Sequence, residues 1–361
     1  MKVPALILAV GALVLPSVSG LTEDGRGAFH AGRAPYPAFT AAGELVVLYR
    51  DGTDRLGLAG FRGGRSDYAV SALSRRLLTD APVLKRDGSG GLWAAWAEGA
   101  PGGCEIRLAR VSGRRAVTVL TVRTGTDHPV SLDLAFDGAG RPWIGCVLYS
   151  EAGYAVRVFP PADPGGRTIE VAQAEIGGLR VAAGRSGLRA FWVADENGRS
   201  EVRTASFAES GAARGGVTAA VRSSTGPILG LQAANGPDGR PWLVWSGYDG
   251  NDYEIFVASA TEAGIALGSA LTANEDQDLF PSLAFLPSGD PFVAWHRPES
   301  RTGRILARRR SAGAWGRELL LAPTAEPLSR PLRAVAEGGR IGLAWEESDA
   351  FRTALVDAAG L

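Results

Sequence analysis

The sequence predicts an all-β fold, a seven-bladed β-propeller of four-stranded antiparallel blades, and three recurrences predict it. An aromatic ends a short apolar run at Tyr49, Trp96, Trp192, Trp245, Trp295 and Trp345, with Cys146 in its place in one unit. The spacings are 47, 50, 46, 53, 50 and 50 residues. An apolar residue follows ten positions later in every unit, at Ala59, Ile106, Val156, Val202, Ile255, Ile305 and Leu355, which implies one hairpin length throughout. Prolines open most units, at Pro35, Pro82, Pro281 and Pro331, and slightly earlier at Pro129 and Pro227. Proline enters a sheet only at a strand's first residue or at an edge, so each marks a beginning. Recurrence of one supersecondary unit at this period is the signature of a ring of blades.

Taken in order, Lys2, the apolar stretch 4–15 and Ser17-Val18-Ser19-Gly20 read as an export signal over residues 1–20, leaving a single propeller domain over 21–361. The apolar stretch is shorter than the ~20 residues of a membrane span, and no span is expected in the mature chain. Residues 21–34 contain no hairpin of their own. The unit at 235–258 displays the pattern: a turn at Gly236-Pro237-Asp238-Gly239, a strand ending in Trp245, a polar loop, and a returning strand centred on Ile255. Runs such as Leu45-Val46-Val47-Leu48 and Phe292-Val293-Ala294-Trp295 imply strands covered on both faces and place the tryptophans in the core. Outer strands are expected at 68–78, 116–122, 168–175, 217–223, 265–272 and 317–322. The seventh unit ends after its third strand, so residues 25–32 are expected to complete it beside 350–356 and close the ring, because an open ring leaves an unpaired edge.

Thirty-eight basic and 38 acidic residues balance, which removes the broad field that draws proteins to nucleic acid; no nucleic-acid partner is expected, and a monomer is. The three histidines fall in different units, unlike a histidine-rich zinc site. No G-x-S-x-G elbow, P-loop or dinucleotide fingerprint occurs. Cys104 and Cys146 lie in adjacent units and are a candidate disulfide, which export would permit.

The units Pro281-Ser282-Leu283-Ala284 with Ser288-Gly289-Asp290-Pro291-Phe292-Val293-Ala294-Trp295, and Trp245-Ser246-Gly247-Tyr248-Asp249-Gly250-Asn251-Asp252-Tyr253-Glu254-Ile255, resemble the WD40-like repeats of TolB-type propellers and of sialidase-like propellers. The resemblance covers most of the chain after residue 20 at the level of the repeat. It implies a secreted or periplasmic propeller and transfers no active site. The sialidase motif Phe/Tyr-Arg-Ile-Pro is left after two residues at Phe61-Arg62-Gly63-Gly64.

A propeller gathers loops about fifty residues apart onto one rim around a channel, and ligands favour such mouths. Asp127, His128 and Asp278 enter that rim from unit openings, and Asp249, His296, Arg297 and Arg301 from hairpin tips; these are the expected ligand contacts, with the arginines suited to an anionic group. No cofactor is required, although Asp249, Asn251 and Asp252 offer the hard oxygen donors calcium takes. The turns at 87–91, 137–140, 235–239 and 287–290 fall on the opposite rim and read as turn chemistry that tolerates change. The functional expectation is a binding or assembly module for a glycan or protein ligand at the rim. The alternative is a carbohydrate-active hydrolase or lyase using carboxylates from different blades.

Overall fold

A computed structural model describes residues 29–360 apart from 32, 63–64, 71–72, 75, 80, 161–162, 185–186, 224–225, 262–263 and 349. The export signal expected at 1–20 and most of segment 25–32 lie outside the described residues. Seven antiparallel sheets follow one another along the chain as the seven blades of a propeller. Their innermost strands are Arg33–Phe39, Val83–Arg86, His128–Phe136, Glu175–Gly184, Leu229–Asn235, Leu279–Phe285 and Arg333–Glu337. Each blade then runs outward through consecutive strands. In blade 6 the short strand Ala314–Trp315 precedes the outermost strand Leu319–Thr324. In blade 7 the outermost position is taken by Phe29–Ala31, with Phe29 opposite Arg352 and Ala31 opposite Ala350.

The first turn of each blade is set by local chemistry. Gly90, Gly140, Gly239 and Gly289 sit at corresponding turn positions with φ of 89°, 75°, 72° and 86°, a conformation that penalises a Cβ. In two of these turns an aspartate does more than cap. Asp87 Oδ1 accepts from the backbone of Ser89 and Gly91 while Oδ2 accepts from the Trp93 indole at 2.8 Å. Asp137 repeats this with Ala139, Arg141 and the Trp143 indole at 3.2 Å. Burial raises the Asp87 carboxyl, but the Ser89, Trp93 and Gly91 donors outweigh it and bring it down to about 2. These turns therefore anchor core tryptophans, a role beyond the simple turn chemistry expected of them.

The second strand of each blade is the most enclosed; in blade 6 burial is unbroken from Pro291 to Arg297. Both of its faces are covered because blades stack on one another. The buried apolar residues fall into seven clusters, each shared by two neighbouring blades. The junction of blades 7 and 1 is built like the rest: Phe351 packs on Tyr49 and Phe61 with ring centroids 5.1 and 6.1 Å apart. Polar bonds add to the stacking. Innermost strands carry a register shift near their start, with Ala34, Gly178, Gly230 and Phe280 in the left-handed region. Just beyond it Ser131 and Ser282 accept backbone N–H groups of the next blade, from Leu179 at 3.1 Å and Ala334 at 2.8 Å.

Several expectations are corrected. Blade 1's outer strand is Arg65–Val70 rather than 68–78, and Leu78 makes only a bridge to Glu98. The stretch 168–175 divides, since Glu175 already begins the innermost strand of blade 4. Hairpin length is not invariant: Trp96, Cys146, Trp192, Trp245 and Trp295 face residues eleven positions on, but Tyr49 faces Gly57 and Trp345 faces Arg352. Cys104 and Cys146 are not bonded to each other, and both are buried. Cys146 packs with Ile106 between blades 2 and 3, whereas Cys104 lies two residues before Ile106 on the same strand, one side-chain row nearer the rim. That offset is roughly 6–7 Å along a strand.

Deleting residues 1–32 strips the outer strand from blade 7 and exposes the edge of Ala350–Asp357. The expected outcome is a lower thermal midpoint with self-association on size-exclusion chromatography. A truncated protein that melts like the full chain would deny this strand a part in closing the ring.

Candidate functional site

Two of the seven residues singled out on the rim, Asp278 and Arg297, belong to a device repeated around the ring. In four blades a core tryptophan near this rim donates its indole N–H to a carboxylate that also binds an arginine. Trp96 and Arg107 meet on Glu98, Trp192 and Arg203 on Glu170, Trp295 and Arg297 on Asp278, and Trp345 and Arg352 on Glu347. The carboxylate receives charge and hydrogen bonds together, so it can lie under the rim without an unpaired charge.

Asp278 is fully buried. It takes the Trp295 indole and Arg297 Nε on Oδ1, Arg297 Nη2 and Asn274 Nδ2 on Oδ2, all at 2.8 to 2.9 Å. Arg297 also binds Glu318 with Nη1 and Nη2 at 3.1 and 3.0 Å. Burial works against its cation, but Asp278 and Glu318 outweigh that and raise its pKa. Both side chains are spent on each other. His296 is likewise fully buried, with Nε2 3.3 Å from Thr324 Oγ1 and no partner for Nδ1. Burial pushes its pKa down to about 4, against the pull of Asp278 and Glu347.

The remaining members divide. Asp249 sits at the tip of blade 5 with Asp252 and Glu254, one ligand oxygen of each lying within 4.8 Å of the others. Asn274 ties this group to Asp278, donating its backbone N–H to Glu254 at 2.6 Å and its amide to Asp278. Burial and then neighbouring carboxylates raise Asp252; burial likewise raises Glu254, while the backbone N–H groups of Asn251 and Asp252 lower Asp249. Asp127 and His128 lie elsewhere, Asp127 in the connection from blade 2 to blade 3 and His128 at the start of blade 3's innermost strand, with His128 Nδ1 3.8 Å from Cys104 Sγ. Arg301 is exposed on the tip of blade 6.

A concave feature lies on the axis, enclosed by the innermost strands. A cavity of about 690 Å³ is lined by the innermost strands of all seven blades and reaches the first turns at Asp87, Asp137 and Asn235. None of the seven rim residues lines it. Its walls carry Lys85, Arg86, Arg180 and Arg333 beside Tyr36, Phe136, Phe285 and Gln232. Lys85 pairs with buried Asp133 and Arg86 with Glu337, each at 2.8 Å. Arg180 instead donates to two uncharged acceptors, Gln232 Oε1 at 3.1 Å and the Leu179 carbonyl at 2.6 Å. The Arg333 guanidinium stands over the Tyr36 ring, 5.1 Å from its centroid. These residues come one or two from each blade and leave no linear motif; the signal available was a polar residue inside an otherwise apolar innermost strand.

No family model matches the chain, and no curated protein does. Solved structures do. An ulvan lyase from a new family of polysaccharide lyases aligns with TM-score 0.63 at 10% identity, covering 92% of this chain and 96% of its own. Hydrazine synthase of Kuenenia stuttgartiensis aligns with TM-score 0.58 at 12% identity over 98% and 99% of the two chains. An α-L-arabinanase of Penicillium chrysogenum aligns with TM-score 0.51 at 12% identity over 96% and 99%. At these identities the likeness is one of fold.

Two outcomes test this reading of the rim. Replacing Arg297 by Ala leaves Asp278 buried without its cation and should cost about 3–5 kcal/mol in urea unfolding, whereas pairing Arg297→Met with Asp278→Asn should cost clearly less. For His296, the unfolded chain takes a proton near 6.5 and the folded chain only near 4, so stability is lost as pH falls through that window and not above it. The loss should total roughly 3 kcal/mol. His296→Gln should remove it, and wild-type and variant curves that run parallel from pH 6.5 to 4 would contradict the assignment.

Proposed function

We propose that the chain is a binding module whose central channel holds a carbohydrate bearing acidic groups. The observation that carries this is the channel wall. Seven innermost strands bring cations together with aromatic and amide side chains around about 690 Å³, a volume ordinary for a ligand pocket. Arg180 is central to the reading because its present acceptors are uncharged, so a carboxylate or sulfate gains a charge-assisted bond there without displacing a salt bridge. The ulvan lyase of similar fold has been seen bound to -[GlcA(1-4)Rha3S]-, a uronate and sulfate repeat, which accords with such a ligand.

A hydrolase needs two carboxylates about 5–10 Å apart and free to act. Among the described channel residues, Asp87 and Asp137 are committed to their turns and indoles, and Glu337 to Arg86. That supports binding over hydrolysis. A lyase is the second reading, favoured by the stacking of Arg333 on Tyr36. In β-elimination a base removes the proton beside the uronate carboxylate. The glycosidic bond to the next carbon then breaks, a carbon–carbon double bond forms, and the leaving oxygen is protonated. Tyr36 would be the base, with Arg180 neutralising the carboxylate.

Calorimetric titration with uronate-rich, sulfated and neutral polysaccharides tests both readings. Acidic polymers should bind and neutral ones should not, affinity should fall with added salt, and Arg180→Ala should weaken binding about 10- to 100-fold. Equal binding by Arg180→Ala would sink the channel assignment. Formation of an ultraviolet-absorbing unsaturated product, lost in Tyr36→Phe, would move the reading from module to lyase.

A further inference from the structure

Blade 5 breaks the rule that the other rim carboxylates obey. The residue opposite the end of the second strand is Arg107 in blade 2, Arg157 in blade 3, Arg203 in blade 4 and Arg352 in blade 7. Blade 1 has Gly57 there, blade 6 has Leu306 and takes Arg297 from the second strand instead, and blade 5 has Phe256, stacked on Trp245 at 5.8 Å and 11°. Blade 5 nevertheless places three carboxylates at its tip. Asp252 is 4% and Glu254 1% exposed, and among the described residues no lysine or arginine pairs with them or with Asp249. Asp252 Oδ1 is buried without any hydrogen-bond partner. A buried carboxylate oxygen facing two further carboxylates, with neither donor nor cation, is costly.

We propose that Asp249, Asp252 and Glu254 form a binding site for a hard divalent cation, calcium foremost, which takes the place the arginine holds in neighbouring blades. The donor set is all oxygen, which excludes the thiolate and imidazole preferences of zinc and copper. Mutual separations within 4.8 Å suit a shared ion, because two oxygens on opposite sides of calcium stand about twice 2.3–2.6 Å apart. The loop is also set up for it. Asp249 Oδ1 receives the backbone N–H groups of Asn251 and Asp252 at 2.8 and 3.2 Å, holding the tip closed, and Oδ2 remains for a ligand. Through Asn274 the bound ion would brace the tip of blade 5 against the Asp278–Arg297 pair of blade 6.

The test uses the full chain, freed of metal with a chelator and titrated with calcium chloride alone by calorimetry and thermal melting. One site per chain and a rise of the midpoint by roughly 2–5 °C are expected. Asp252→Asn and Glu254→Gln should each abolish the heat, while Asp276→Asn, an exposed neighbour outside the set, should leave it unchanged. A crossing is also expected. Without calcium, Asp252→Asn should melt at or above the wild type because a like charge is gone; with calcium, the wild type should melt higher. No heat and no shift with calcium would mean that protons keep the cluster neutral and would overturn the proposal, as would binding of zinc in preference to calcium or binding that survives in Asp252→Asn.

Discussion

Everything in this protein depends on the second strand of each blade being covered on both faces by its neighbours. A four-stranded sheet standing alone would leave its apolar faces wet, and each of the seven core clusters draws residues from two neighbouring blades. Burying a Trp or Phe side chain contributes about 1.5–3 kcal/mol, and each interface holds several, so stability accumulates around the ring rather than within any unit. Closure follows from the same packing. Phe351 against Tyr49 and Phe61 joins the last blade to the first as other aromatics join their neighbours.

Such enclosure creates a problem at the rim, where second strands end in tryptophans whose indole N–H groups need acceptors. The chain answers with carboxylates, and carboxylates that deep need cations. The Trp–carboxylate–Arg groups satisfy donor, acceptor and charge together. This is why a rim rich in Asp, Glu and Arg can be structural.

The architecture was legible in the sequence because a repeat is written locally: an aromatic near every fiftieth position, turn glycines, and prolines at unit openings suffice to count blades. Edges were less legible. Outer strands such as Ala213–Arg222 are mostly exposed, so their alternation is weak and their bounds drift. The site was hardest, for two physical reasons. Asp278 and Arg297 read as ligand contacts since charge at a loop suggests exposure, yet they pair with each other under the rim. Arg107 and Arg203, eleven residues after the aromatic, carried the clue that such charges recur as partners. The channel residues Lys85, Arg180 and Arg333 fall at the blade period, but the residue type changes from blade to blade, so no motif repeats.

A repeat protein makes departures from its own pattern informative. Where an arginine recurs opposite the aromatic, its presence is explained by the carboxylate it neutralises, and its replacement by Phe256 should have removed the need for that carboxylate. Blade 5 instead keeps three acids close together, one with an oxygen sealed from water and from every donor. Apolar packing on Trp245 stabilises that strand by a route independent of charge, so the acids are not retained for the tryptophan. Their grouping therefore needs a cause outside the repeat. It lies at the blade tip, whereas the arginines and amides of the channel come from the innermost strands, so the two groups occupy separate places in the blades.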